Sequence, residues 1–115
     1  ADFVAVPPPA AFAERINWYR TALHELGHWT GHSSRLDRNQ RGGFGSAGYA
    51  REELVAEMAS AFACASLSIQ QTVRHADYIG SWLAVLREDE KAIFRAASAA
   101  SKAADYLLAF APEAV

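Results

Sequence analysis

The chain is poor in cysteine: Cys64 is the only one in 115 residues. No internal disulfide can form, and a reducing cytoplasm is the expected setting. Cys64 lies in the apolar run Ala61-Phe62-Ala63-Cys64-Ala65 and reads as a small core residue, not a nucleophile. A large excess of charge of either sign is also missing. Eleven basic residues against thirteen acidic ones give a formal charge of −2, which supplies no global drive toward nucleic acid or an anionic membrane. Apolar runs are short, and none approaches the ~18–20 residues that a membrane span requires. What is present suffices for a core: 51% of the residues are hydrophobic, and the length suits one compact domain.

Phe3-Val4-Ala5-Val6 is short and β-prone, and Pro7-Pro8-Pro9 ends it. A strand this short needs a sheet to join, and no other clear strand pattern follows. Either it packs as an extended arm, or it is the remnant edge of a sheet whose partners lie upstream. Residues 10–30 read as a helix, with Phe12, Ile16, Tyr19, Leu23 and Leu26 recurring at three- and four-residue steps and Gly31 as the stop. Residues 33–48 hold Gly42, Gly43, Gly45 and Gly48, a density that favours loop. A second helix is expected over 49–67, with Leu54, Met58, Ala61, Phe62 and Ala65 inward. A third is expected over 76–87, with Ile79, Trp82, Leu83 and Leu86 inward. A fourth runs from Asp89, a good N-cap, to about residue 110 through Ile93, Phe94, Ala97, Ala104 and Leu107. The expected architecture is mostly α: a helix bundle with one short remnant edge β-strand.

The first helix carries His24-Glu25-Leu26-Gly27-His28. Residues four apart share a helix face, so both imidazoles can reach one divalent ion, and the adjacent Glu25 can polarise a water on it. The plain alternative is a surface helix with two histidines and an acid. A catalytic site needs a third protein ligand and a position left open. His32 is tempting, but a longer HExxHxxGxxH pattern would need histidine at position 34, where this chain has Ser34. A single helix does not wrap three such ligands around one ion, so His32 reads as a helix-end residue or an outer support of the site. The second helix offers Glu52, Glu53 and Glu57. Glu53 and Glu57 share a face, while Glu52 is rotated away by about 100°. Glu53 is the expected ligand and Glu57 the expected hydrogen-bond partner of a ligand histidine, with the reverse assignment open. The plain alternative is a solvated acidic face paired with Arg51 and the loop arginines.

The stretch Trp18-Tyr19-Arg20-Thr21-Ala22-Leu23-His24-Glu25-Leu26-Gly27-His28-Trp29-Thr30-Gly31-His32 resembles the signature of a known family. So do Ser34-Arg35-Leu36-Asp37-Arg38, Tyr49-Ala50-Arg51-Glu52-Glu53-Leu54-Val55-Ala56-Glu57, His75-Ala76-Asp77-Tyr78-Ile79 and Lys102-Ala103-Ala104-Asp105-Tyr106-Leu107. The family is the zincin-like metallopeptidase domain of antirestriction ArdC and conjugative primase TraC proteins. The resemblance implies an α+β zincin-like fold with the HExxH helix against a small sheet, of which residues 3–6 would be the last strand. It implies that residues 1–115 form a single domain, the C-terminal one of a longer protein. It also implies carriage on mobile elements and protection of incoming DNA. Single-stranded DNA would be bound only through an N-terminal region that is not in this chain.

The expected chemistry is peptide hydrolysis by a metal-activated water. Zn²⁺ would be held by His24, His28 and Glu53; such a set also accepts Mn²⁺, Co²⁺ or Ni²⁺. Glu25 would be the general base. His75 or Tyr78, at the start of the third helix, would supply a donor to the oxyanion, the plain alternative for His75 being a capping or packing role. The partner would be a peptide or protein substrate, with no membrane involved. One competing reading is a non-proteolytic module stapled by its metal. Another is a nucleic-acid accessory surface built from Arg35, Arg38, Arg41 and Arg51 with Phe44 and Tyr49, against which stands a loop whose arginines neutralise the acids of the second helix.

Overall fold

The computed structural model describes residues 2–40, 46–69, 87 and 91–111. Within them lie a short 3-10 turn, Pro9–Ala11, and three α-helices: α1 (Arg15–Trp29), α2 (Ala47–Ser66) and α3 (Ala92–Leu108). The helix expected over 76–87 lies outside the described residues apart from Arg87, as do His75, Tyr78, Arg41 and Phe44.

The expected single helix over 10–30 is split. Pro9 sits at the first position of the 3-10 turn, where a missing N–H costs nothing, and Phe12 leaves it with extended backbone. Glu14 is also extended at the α1 N-cap, so the α-helix starts only at Arg15. α2 begins two residues earlier than its apolar pattern suggests because Ser46 caps it, its Oγ accepting from the Tyr49 N–H at 3.1 Å. α3 begins at Ala92, with Lys91 at the N-cap and no side-chain cap.

The remnant strand at residues 3–6 is not formed, and the described residues hold no strand. A strand is defined by its ladder, and among the described residues no partner lies alongside. The segment is an extended arm pinned at both ends instead. Asp2 pairs with Arg35, and the Trp18 indole N–H donates to the Pro7 carbonyl at 3.0 Å.

α2 is the central element, packed by α3 on one side and α1 on another. The α2–α3 seam is made of small residues: Ala59, Ala96, Ala100 and Ala103 pack with Leu54 and Val55, and Leu36, Met58 and Ala99 close around them. This corrects the expected inward faces. Ile93 and Phe94 point out, Phe94 at 74% exposure, and Phe62 is also exposed. The alanine stripe at 92, 96, 100, 103 and 104 is what lets α3 approach α2 closely, and that distance leaves no room for a phenyl ring. Cys64 is fully buried.

The α1–α2 seam is different in kind. The buried residues of α1 are His24 and Gly27, while Tyr19 of the expected apolar stripe is exposed. A Cβ built on Gly27 would lie 3.2 Å from Ala56 Cα, so glycine is what permits this close crossing. The two helices are antiparallel: Arg20 O accepts from Ser60 Oγ, His24 meets Glu57, and the later His28 meets the earlier Glu52. Polar side chains tie α1 to α2 along this seam: Arg20 and His24 to Glu57, His28 to Glu52, and Ser60 to the Arg20 carbonyl. No helix among the described residues is long and apolar enough to cross a membrane.

Candidate metal centre

Gly27 brings α1 down onto Ala56 of α2 and so delivers the two histidines to three glutamates. Each imidazole is gripped at both nitrogens. The His24 Nδ1 pairs with Glu57 Oε2 at 2.9 Å, and the His28 Nδ1 pairs with Glu52 Oε2 at 2.7 Å. With Nδ1–H donated to a carboxylate, the Nε2 lone pair is the one left for a cation. The two Nε2 atoms face each other at 3.2 Å, and the Glu53 carboxylate reaches both, at 3.1 Å from His24 and 2.9 Å from His28. Ligand atoms of His24, His28 and Glu53 all lie within 4.8 Å of one another.

This donor set fits a small divalent ion. Two nitrogens each ~2.0–2.1 Å from a tetrahedral ion lie about 3.3–3.4 Å apart. The observed Nε2 separation of 3.2 Å is within a few tenths of that spacing. Two imidazole nitrogens at this separation are suited to share one cation.

Electrostatics point the same way. Burial works against charging His24, yet its hydrogen bonds to Glu53 and Glu57 prevail and raise its pKa from 6.5 to about 9. His28 behaves alike: burial opposes, Glu52 and Glu53 overcome it, and the pKa rises to about 9. Glu53, hydrogen-bonded to both histidines, is held well below the usual carboxylate range. The pocket is built to stabilise positive charge at one point.

Two arginines hold the outer carboxylates. Arg20 Nη1 donates to Glu57 Oε1 at 3.0 Å. Arg38 grips Glu52 bidentately, Nε to Oε1 at 2.9 Å and Nη2 to Oε2 at 3.1 Å, while donating to Thr30 Oγ1 and the Gly27 carbonyl. Gln40 donates to Glu52 Oε2 and to the His28 carbonyl. Burial disfavours the Glu52 charge, but His28, Arg38 and Gln40 together bring its pKa below 4.5. Gly31 makes room for this clamp, since a Cβ there would fall 2.6 Å from Gln40 Nε2 and 2.8 Å from Arg38 Nη2.

The structure thus brings together His24, His28, Glu53 and Glu57 of the sequence-predicted residues. Glu25 follows His24 on α1 and is half-buried. His32 is not drawn in. It turns away into the bend after α1, where its Nδ1 accepts from the Ser34 N–H at 3.1 Å and lies 2.8 Å from Ser34 Oγ. The helix has ended at Trp29, so His32 no longer continues the stripe of His24 and His28. Sequence reasoning missed the hold of Glu52 on His28, and with it Arg20 and Gln40; the pairing of Arg38 with Glu52 matches the expected loop whose arginines neutralise the acids of the second helix. Helical rotation placed Glu52 off the face of Glu53, but two rings side by side accept partners from two adjacent α2 positions. The signal was there: the four-residue step from His24 to His28 is mirrored, in the antiparallel sense, by the step from Glu57 to Glu52 and Glu53. Of the loop arginines, Arg38 is committed to Glu52, and Arg35 stacks 3.8 Å from the Trp29 ring centroid while donating to the Trp29 carbonyl.

Comparison with known proteins bears on this geometry. A family model described as zincin-like metallopeptidase matches residues 1–99. DNA primase TraC of Escherichia coli is 52% identical over 110 residues, covering 95% of this chain and 10% of the primase. The protein y4eC of Sinorhizobium fredii is 47% identical over 108 residues, covering 92% of this chain and 35% of y4eC. The Mn(II)-bound crystal structure of the antirestriction protein ArdC from plasmid R388 aligns with a TM-score of 0.77 at 46% identity, over 90% of this chain and 39% of ArdC. The metal-free ArdC structure aligns with a TM-score of 0.75. The chain therefore spans about a tenth of TraC and well under half of ArdC. With the family model covering most of its length, the chain belongs to the zincin-like metallopeptidase family, as the domain shared with TraC and ArdC.

Proposed function

We propose that this domain is a divalent-metal-dependent peptide hydrolase whose ion is held by His24, His28 and Glu53. The observation that carries the reading is the convergence of both Nε2 atoms and the Glu53 carboxylate on one point. Zinc is the expected ion, and Mn²⁺, Co²⁺ and Ni²⁺ suit the same donors; the Mn(II)-bound ArdC structure supports a divalent-ion site in this family. When bound, the ion would bring the pKa of a coordinated water toward ~7 and polarise the scissile carbonyl.

The chain's own residues do the rest. Glu57 and Glu52 keep the protons of the two histidines on Nδ1 and so keep both Nε2 atoms aimed inward. Arg20 and Arg38 hold those carboxylates in place. Glu25 receives a proton from the attacking water and delivers it to the leaving amine. The substrate would be a peptide or protein. In the longer proteins that carry such a domain, we infer a role tied to antirestriction and to DNA transfer by mobile elements, with single-stranded DNA handled by another region.

The test pairs metal content with cleavage of a fluorogenic peptide library. Glu25→Gln retains the ion and loses cleavage; His28→Ala loses both. Cleavage that survives Glu25→Gln removes Glu25 as the base. A fully loaded wild-type protein that cleaves nothing replaces the hydrolase with a metal-stapled binding module.

A further inference from the structure

A helix ends with carbonyls that no further turn can satisfy. At the end of α1 one of these is the Gly27 carbonyl. The Gly31 N–H, its partner in a continued helix, donates to the His28 carbonyl at 2.9 Å instead. Two side chains replace it: the Thr30 hydroxyl donates to Gly27 O at 2.6 Å, and Arg38 Nη2 donates to it at 2.8 Å. Thr30 Oγ1 in turn accepts from Arg38 Nη1 at 2.9 Å, so hydroxyl, carbonyl and guanidinium close a triangle. The backbone of Thr30 is still helical, φ −61° and ψ −21°, which is why its hydroxyl reaches back three residues. The side chain is fully buried. The same guanidinium holds Glu52, Nε to Oε1 at 2.9 Å and Nη2 to Oε2 at 3.1 Å, and Glu52 Oε2 pairs with His28 Nδ1 at 2.7 Å.

We propose that Thr30 is a positioning residue of the metal centre: its buried hydroxyl fixes Arg38, which fixes Glu52, which aims His28. The inference rests on the reading of His28 as a ligand. A hydroxyl has one proton, and Thr30 gives it to Gly27 O, so toward Arg38 its oxygen is an acceptor. A guanidinium is a rigid planar fork, so anchoring one side of it sets where the other side points. Valine would fill the same space without an acceptor. Arg38 Nη1 would then lose its partner at a buried position, and the fork would turn to recover one, drawing off Glu52. Serine would keep the hydroxyl. His24 supplies an internal control, because Glu57 and Arg20 hold it without Arg38.

The experiment titrates wild type, Thr30→Val, Thr30→Ala and Thr30→Ser with Zn²⁺ by calorimetry. Isotope-edited NMR of the zinc-loaded proteins follows the Nδ1–H signals of His24 and His28 separately. Thr30→Val and Thr30→Ala bind zinc about tenfold more weakly, the low end of the ~10–100-fold effect of a partner one step nearer the ligand. Their His28 signal shifts or exchanges with solvent while that of His24 stays in place, and Thr30→Ser matches wild type in both measurements. In the Arg38→Leu background, Thr30→Val brings no further loss of affinity. A wild type that binds no zinc overturns the reading of His28 as a ligand and this inference with it. A wild type that binds zinc, with Thr30→Val matching it in affinity and in the His28 signal, overturns the role of Thr30 alone. Equal disturbance of both histidines, failure of both Thr30→Val and Thr30→Ala to fold, or an equal loss in the Arg38→Leu background makes Thr30 a folding residue and also overturns it.

Discussion

Glu52→Gln is the sharpest probe of how the histidines are held. Glu52 Oε2 accepts from His28 Nδ1 at 2.7 Å, Arg38 Nη2 at 3.1 Å and Gln40 Nε2 at 3.0 Å, and Oε1 accepts from Arg38 Nε at 2.9 Å. Every neighbour is a donor, so an amide NH₂ has no good place. Set toward His28, it faces Arg38 and Gln40 and satisfies the ring only if the imidazole proton moves to Nε2, the atom needed for the metal. Set toward Arg38 Nε, it opposes a cationic donor, and the remaining carbonyl is a weaker acceptor for Nδ1–H than a carboxylate. Either orientation lowers metal affinity by about 10–100-fold, or about 1.4–2.7 kcal/mol. Loss of a charged hydrogen bond costs a further ~1–3 kcal/mol in stability. Isothermal titration with Mn²⁺ or Zn²⁺ reads the first quantity and urea unfolding of the metal-free protein reads the second. A variant that binds either ion within twofold of wild type would refute the argument that Glu52 aims His28.

Other consequences are equally concrete. Gly27→Ala places a methyl 3.2 Å from Ala56 Cα and 3.3 Å from its carbonyl oxygen; overpacking of about 1–3 kcal/mol outweighs the ~1 kcal/mol gain in helix propensity, so Tm and metal affinity both fall. Ala100→Leu, in the α2–α3 seam, costs a similar ~1–3 kcal/mol of stability but leaves metal affinity unchanged, since it touches none of the site residues. In the metal-free protein the two histidine pKa values are raised from 6.5 to about 9. Their stabilisation is complete below pH 6.5 and is lost as pH climbs to about 9. Glu53, depressed from 4.5, contributes above that value and is lost as pH falls below it. Thermal melts with chelator therefore peak between about pH 5 and 6.5, and saturating metal, by taking the place of the protons, flattens the alkaline decline. For the same reason metal affinity climbs from pH 7 to 9 with release of protons; an affinity flat over that range would contradict the proton-holding arrangement.

Legibility in the sequence followed the strength of the periodic signal. The pentad at 24–28 fixed a helix and two ring positions because a four-residue step has one geometric meaning on an α-helix. Glu53 and Glu57 were legible for the same reason. Glu52 was not, because rotation about one helix axis says nothing of where the second ring of the partner helix will lie. That a loop arginine would neutralise an acid of α2 was legible, but the choice of Glu52 for Arg38, and Gln40 beside it, depends on the bend of residues 31–38 folding back over the end of α1. The core faces failed where alanine competed with phenylalanine: a hydrophobicity pattern ranks Phe94 above Ala96, but close helix approach selects the smaller side chain. The β-prone segment at residues 3–6 takes the first of its two expected forms, an extended arm, because β-propensity alone supplies no ladder.

The claim on which the account depends is that His24, His28 and Glu53 hold a single divalent ion. Anomalous diffraction at the manganese edge, from crystals of the protein grown with Mn²⁺, measures this most directly. The account predicts one strong peak, within coordination distance of both Nε2 atoms and a Glu53 oxygen. A peak centred on Glu52 or Glu57 instead, or none at full manganese saturation of the solution, would contradict it.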